Sequence, residues 1–230
     1  MQFSLTTKLA AGLSVLALAA CNTTGGGTAS TSGGTTSGSS APAAFSSARD
    51  AANAKLPTTS MPASLNATYV GETYQVLIDS NAQPVGNVMA DLSLTANWTD
   101  GQMNNVWSGK ATNFRGELNG ESFDLIDEMD VDSGGMSTIT RVVVPPNQFT
   151  PGGQTSGIAN IALSGTGTSG GKTYRGEMML TGQFRGEDES SIVGSSSTRV
   201  YDTSVQSIEP VVAGIPEVGS SDPNFYANRQ

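Results

Sequence analysis

Between Ala90 and Trp98 the residues alternate strictly in polarity, and Val88 extends the apolar face. Val88, Ala90, Leu92, Leu94, Ala96 and Trp98 fall on one face of an extended chain, and Asp91, Ser93, Thr95 and Asn97 on the other. The same pattern returns near residue 180. Tyr174, Gly176, Met178, Leu180, Gly182 and Phe184 point one way, and Thr173, Arg175, Glu177, Thr181, Gln183 and Arg185 the other. A period of two excludes helix here, and a single polar face means a sheet buried on one side only. Glycines among the large apolar residues of the second run suit a strongly curved sheet, where inward side chains crowd one another.

Turn chemistry divides the rest of the chain. Asp100-Gly101 and Asn119-Gly120 suit tight hairpins because both residue types tolerate positive φ, and Gly134-Gly135 and Gly170-Gly171 mark further turns. Eight strands are read between them, over 66–78, 86–98, 105–117, 121–130, 136–144, 158–167, 173–184 and 191–201. The last is too rich in Ser for its faces to be assigned. Eight antiparallel strands in meander order must close or leave two edges open, and an eight-stranded barrel is just wide enough to be filled by side chains. The expectation is therefore an all-β fold, a single eight-stranded antiparallel meander β-barrel over 65–205, with an open sandwich as the alternative. A membrane-spanning barrel would need an apolar outer band, and that face carries Asp91, Arg175, Glu177 and Arg185. Residues 206–230 contain Pro210, Pro216 and Pro223 with little periodicity and read as an extended or disordered tail, which Phe225 and Tyr226 would dock against the barrel.

Composition narrows the chemistry. The chain has no His, which excludes Ser-His-Asp and Cys-His catalysis, His-ligated haem and most zinc sites. Its single Cys excludes an internal disulfide. A net charge of −9 argues against nucleic acid as a partner, since phosphate binding needs a basic face.

That Cys stands at position 21. Before it, Lys8 closes a short basic region, and the apolar run from Leu9 to Leu18 is too short to span a bilayer. Leu18-Ala19-Ala20-Cys21 resembles the bacterial lipobox. The resemblance implies a signal peptide over 1–20, cleavage before Cys21, a diacylglyceryl thioether on its sulfur and an acyl group on its amine. Asn22 in place of Asp implies export to the outer membrane by the sorting rule of Gram-negative lipoproteins. Over residues 22–44, 17 of 23 positions are Gly, Ser or Thr and none is charged. Such a segment cannot offset its ordering entropy and reads as a flexible tether with a reach of about 25 Å. Residues 45–64 read as a lead-in, with a short helix over 45–56 capped by Ser46 or Ser47 and stopped by Pro57.

Several stretches resemble the barrel domain of transferrin-binding protein B and its relatives. Met61-Pro62-Ala63-Ser64-Leu65-Asn66-Ala67-Thr68-Tyr69-Val70-Gly71 is similar to the family's entry into the barrel. The Leu92-x-Leu94-x-Ala96-x-Trp98 strand, its Asp100-Gly101 turn and Ala111-Thr112-Asn113-Phe114 fit the following hairpin. Tyr174-Arg175-Gly176-Glu177, Gly182-Gln183-Phe184-Arg185-Gly186 and Ile192-Val193-Gly194 fit the closing one. The resemblance covers about 60–202. It implies a barrel on an outer-membrane or surface lipoprotein, in a superfamily whose members bind host proteins such as transferrin, haemoglobin or complement factor H. Transferrin-binding protein B has two lobes, each with a handle domain, whereas this chain has room for one barrel and almost no handle. Fold and address therefore carry over, and the transferrin does not. The expected partners are the membrane, through the lipid, and a protein or small solute; the barrel is expected to be monomeric and non-catalytic. A structural lipoprotein facing the periplasm is the alternative.

Few residues stand out as sites. Asp124, Asp127, Glu128, Asp130 and Asp132 place five acids within nine residues. They do not follow a calcium loop: position twelve counted from Asp130 is Arg141, and counted from Glu128 the required Gly is Ser133. No metal is expected there; the cluster reads as a solvated acidic patch or a surface for a basic partner. Glu117 and Glu121 flank the Asn119-Gly120 turn, where paired acids are common without catalysis. Trp98 and Trp107 bracket the Asp100-Gly101 hairpin and read as core, either as a cross-strand pair or as a plug for one barrel end. Met178 belongs to the core and its neighbour Met179 to the outer face. Arg175, Arg185 and Arg199 would form a small basic stripe, or pair with Glu177 and Glu187 at little energetic gain.

Overall fold

The computed structural model describes residues 40–134, 136–205, 209–217 and 220–230. The segments read as a signal peptide over 1–20, a lipobox from Leu18 to Cys21 and most of a tether lie outside these residues. A short helix, α1 (Ala43–Asn53), precedes β1 (Ser64–Ile78), β2 (Pro84–Thr99), β3 (Trp107–Leu118), β4 (Glu121–Ser122), β5 (Glu128–Val131) and β6 (Thr138–Val144). They are followed by β7 (Gln154–Ser169), β8 (Lys172–Arg185), β9 (Ser191–Asp202), β10 (Val212–Ile215) and β11 (Phe225–Arg229).

All pairings among these strands are antiparallel, and the sheet closes on itself as a ring of eight positions. In order they are β1, β2, β3, β5 with β6, β7, β8, β9, and β10 with β11, which returns to β1. The alternating runs behave as the sequence demands. In β2, Val88, Ala90, Leu92, Leu94, Ala96 and Trp98 are all buried, as are Gly176, Met178, Leu180, Gly182 and Phe184 in β8. The two inward glycines of β8 leave space that neighbours fill, Met129 and Ile126 over Gly176, Phe225 and Ile192 over Gly182. At the β3–β4 turn both Asn119 (φ 54°) and Gly120 (φ 84°) adopt the left-handed conformation that a two-residue hairpin requires.

Two expectations are corrected. The strand read over 121–130 is broken into β4 and β5, because Phe123, Leu125 and Ile126 are all buried. Adjacent Leu125 and Ile126 cannot both face inward on a regular strand, so the backbone leaves the ladder there. Second, the tail is not outside the sheet. Residues 206–230 supply β10 and β11, which stand between β1 and β9 and complete the ring. The order is thus a meander only as far as β9.

Between β10 and β11 the ladder is interrupted, and side chains fill the break. Asn224 accepts from Ser196 N at 2.6 Å through Oδ1 and donates to Ser196 O at 2.9 Å through Nδ2, doing for β9 what a strand backbone would do. Its own carbonyl takes the Tyr74 N–H at 2.9 Å. Gln75 Nε2 reaches across to Ser196 Oγ at 2.8 Å. Ser196 on the Ser-rich strand β9 is accounted for here: it is buried with Asn224 and Gln75 as its partners.

The ring's interior is filled by side chains from every wall, with Tyr69, Trp107 and Phe184 as an aromatic group near one end. Trp107 stacks on Phe184 at 6.5 Å and donates to Thr138 O at 3.2 Å. Trp98 is buried too, so both tryptophans are core. The lead-in crosses the same end. Met61 N donates to Thr155 O, Thr155 N to Thr59 O and Thr58 N to Phe184 O, while the Met61 side chain packs over Gly157 and Phe184.

Helix α1 begins at Ala43, earlier than expected, so the tether ends there. Its N-cap is Pro42, without a side-chain cap from Ser46 or Ser47. It is held by packing instead. Phe45 and Ala52 are buried on the outer face of the ring against Tyr74, Val76, Met89, Val193 and Tyr226. Phe45 lies 5.9 Å from the Tyr74 ring and 5.7 Å from Tyr226.

Candidate functional site

On the outside of β7, β8 and β9 lies a groove of about 490 Å³. Because side chains alternate, the same strands that build the interior with Leu163 and Met178 present Ala162, Ser164, Arg175, Glu177, Met179, Ser197 and Arg199 outward. Its rim is the excursion between β5 and β6. Asp132 N donates to Ala162 O at 2.8 Å, and the buried Ser137 hydroxyl accepts from Ala162 N at 3.1 Å, so this loop is seated on one residue of β7. Asp132 Oδ1 caps Gly134 N at 2.8 Å, and Met136 stands 63 % exposed at the rim.

The electrostatics of the groove come from a cross-strand row. Glu177 sits opposite Arg199 in register and forms its ion pair with Arg175 at 3.2 Å. Arg175 also lies over the Tyr201 ring at 5.0 Å. Among the described residues Arg199 forms no ion pair. The groove therefore offers two guanidinium groups, one of them uncommitted, beside the flexible thioethers of Met136 and Met179. This arrangement can hold an anionic or amphipathic group.

The expected basic stripe is thus shorter than read. Arg185 is not in it: its Nη1 donates to Asn53 O at 2.8 Å and Lys55 O at 3.0 Å, binding the last carbonyl of α1 and one just past its C-cap. Glu187 lies on the β8–β9 turn, away from Arg175 and Arg199.

The five acids do not converge. Asp124 accepts from Ser169 Oγ at 2.8 Å, Glu128 pairs with Lys110 at 2.8 Å, Asp127 and Asp130 face solvent, and Asp132 closes its own loop. Glu128, then Asp130, raise the Lys110 pKa. Among the described residues no three His, Cys, Asp or Glu side chains gather to hold a metal ion. Glu117 and Glu121 are exposed on their turn, each opposite a different residue.

A second pocket, of about 370 Å³, opens at the end of the ring away from Met61. Asp79, Asn119, Lys172, Tyr174, Asp202 and Val212 are among its lining. Its charges are spent internally. Ser204 and Lys172, the latter at 3.0 Å, hold the Asp202 carboxyl down to about 2, and the Lys172 ammonium is raised in turn. Hydrogen bonds from Gln83 and Asn81 lower Asp79 in the same way.

Sequence reasoning missed one network. Glu72 and Asp91 face each other across β1 and β2, and Arg115 reaches both, with Asp91 Oδ1 at 2.6 Å. Tyr226 OH donates to Glu72 at 2.9 Å and Asn113 Nδ2 to Asp91 at 2.8 Å. Burial and the Glu72 carboxylate both push the Tyr226 phenol up. Arg115 reaches that position through a register shift beside Asn113 (φ 53°), which no pattern in the sequence marks. Glu189, buried beneath the β8–β9 turn, is raised by desolvation against the pull of Arg229.

No family model, curated protein or solved structure matches this chain.

Proposed function

We propose that this protein is a lipid-anchored lipoprotein of the bacterial outer membrane that displays a non-catalytic β-barrel resembling that of transferrin-binding protein B. In this reading the signal peptide over 1–20 is removed and Cys21 carries diacylglycerol and an N-acyl group. Two or three acyl chains hold firmly where one holds marginally, at about 0.8 kcal/mol per buried CH₂. Residues 22–44 are the tether, and the ring is the binding body, monomeric and facing the cell exterior. The observation that carries the reading is the order of parts: lipobox, uncharged tether, then an antiparallel sheet closed on itself. The closed sheet with a side-chain-filled interior supports the barrel and directs ligand recognition to its outside. The groove at Arg175 and Arg199 is the surface best suited to recognition, of a protein or small solute with an acidic or amphipathic contact group.

Protease treatment of intact cells tests the display. Cleavage within 22–44 is expected to release a resistant fragment beginning near Ser40. A protein protected until the outer membrane is opened would place the ring in the periplasm, as a structural envelope lipoprotein. Partners captured by the wild-type protein and lost with Arg175→Glu/Arg199→Glu would locate the binding surface; equal capture would remove the groove from the account.

A further inference from the structure

The exposed apolar side chains are not scattered. Strand direction places the β2–β3 turn, the β6–β7 turn and the lead-in at one end of the ring. That end carries Phe149 (85 % exposed), Leu56 (81 %), Met103 (61 %) and Val143 (59 %), with Val142 and Val144 beside them. β6 and β7 form a ribbon there. The β7–β8 ladder ends at Ile158↔Gln183, whereas the β6–β7 ladder continues to Val144↔Gln154. From Val142 to Gly171 the sequence holds no charged residue, in a chain of net charge −9.

Within the turn at the ribbon's tip, four backbone N–H groups are satisfied, those of Asn147, Phe149, Thr150 and Gly153. Pro145, Pro146 and Pro151 have no N–H to satisfy. Asn147 Oδ1 accepts from Phe149 N at 2.8 Å and Thr150 N at 3.0 Å, while Asn147 N and Gly153 N both donate to Thr150 O. A protein partner that added a strand would need free donors at this tip. A tip with few free donors, no charge and an outward Phe at its apex is what a hydrocarbon boundary tolerates, because unsatisfied backbone groups are costly in lipid.

We infer that the β6–β7 tip, led by Phe149, inserts shallowly into the bilayer that holds the lipid anchor, and so orients the ring on the membrane. The neighbouring β8–β9 turn exposes Glu187 and Asp188, so the ring tilts with the ribbon foremost rather than lying flat on its end. This rests on acylation of Cys21: the tether keeps the tip at roughly millimolar local concentration, where weak insertion is enough.

The test uses the full mature acylated protein in zwitterionic vesicles whose acyl chains carry bromine. Trp98 and Trp107 are buried and give the background measured in the wild type. In Phe149→Trp the added emission is expected to be blue-shifted and largely quenched. In Val205→Trp, half exposed and three residues past Asp202, where β9 ends at the opposite pocket, it is expected to remain. Protein that floats with the vesicles but shows no greater quenching for Phe149→Trp than for Val205→Trp overturns the insertion and leaves the anchor standing. Protein that does not float overturns the anchor, and the tether-dependent insertion with it.

Discussion

β1 is paired along both edges, and the two edges are made differently. Toward β2 the ladder runs unbroken from Ser64↔Thr99 to Leu77↔Gly86 and shifts register only at its last pair, Ile78↔Pro84, the work of one hairpin joined by a short turn. Toward the tail it comes in two pieces, Tyr69↔Arg229 to Thr73↔Phe225 and Val76↔Ile215 to Ile78↔Ala213, with Asn224 and Gln75 spanning the break. The first seam closes locally in sequence. The second brings together residues separated by most of the domain, so its loop-closure entropy is met only when the remaining wall is in place. The tail seam is therefore expected to close last, and disruptions there should cost more cooperativity than equal changes at the hairpin seam.

The largest effect is expected from removing the tail. A chain ending at Val205 loses both strands of the eighth position and exposes facing edges of β1 and β9. It should lose the single cooperative urea transition and associate, whereas a native-like transition would show that the tail only decorates the sheet. Next is Gly71→Val. A side chain at Gly71 overlaps the Tyr226 carbonyl and the Ala227 backbone of β11. It should cost about 3 kcal/mol in urea unfolding. On the other seam, Thr68→Val removes an exposed hydroxyl pair with Thr95 and should cost less than about 1 kcal/mol. Equal losses at the two positions would erase the distinction.

Asn224→Ala comes third. It leaves the Ser196 N–H and C=O buried without partners, at a cost of about 2 kcal/mol. Hydrogen exchange should rise at Ser196 and Tyr74 before it rises in β2. The smallest effect is electrostatic. Asp202 ends β9 just before the chain turns toward β10, and its carboxyl is lowered from 3.8 to about 2. A depressed acid stabilises fully above its unfolded value and loses that contribution as pH falls through its folded value. Stability attributable to Asp202 should therefore be flat above pH 3.8 and decline toward pH 2. Asp202→Asn should lower the urea midpoint at neutral pH and remove that part of the acid dependence. A constant difference between the two proteins down to pH 2 would contradict the assignment.

The same contrast explains what was legible. β2 and β8 could be read because long runs meet one apolar and one polar environment, and period two then shows in the residues. β4 and β5 could not, because Phe123, Leu125 and Ile126 trade regular pairing for burial. β10 and β11 could not be read because each is short, residues 216–224 separate them in sequence, and what makes them strands is the open edges of β1 and β9 rather than their own composition. Phe225 and Tyr226 gave the usable hint: Phe225 is fully buried in the core, and Tyr226 is buried on the outer face against Phe45. At the groove, alternation alone places Arg175 and Met179 outward, whereas Arg199 lies on a strand whose Ser-rich faces alternation does not assign, and only its pairing with β8 brings it to the groove. The recruitment of Arg185 by α1 and the seating of Asp132 and Met136 over β7 depend on where a helix end and a loop come to rest, which alternation does not encode.

Display of the ring on a membrane depends on the covalent state of Cys21 in the protein recovered from membranes. Mass spectrometry of the mature N-terminal peptide is predicted to show a chain beginning at Cys21 with a diacylglyceryl thioether and an acylated amine. Cys21→Ser should instead retain residues 1–20 and take up no labelled fatty acid. A mature wild-type chain that begins elsewhere, or an unmodified Cys21, would contradict the anchor and the display of the ring that follows from it.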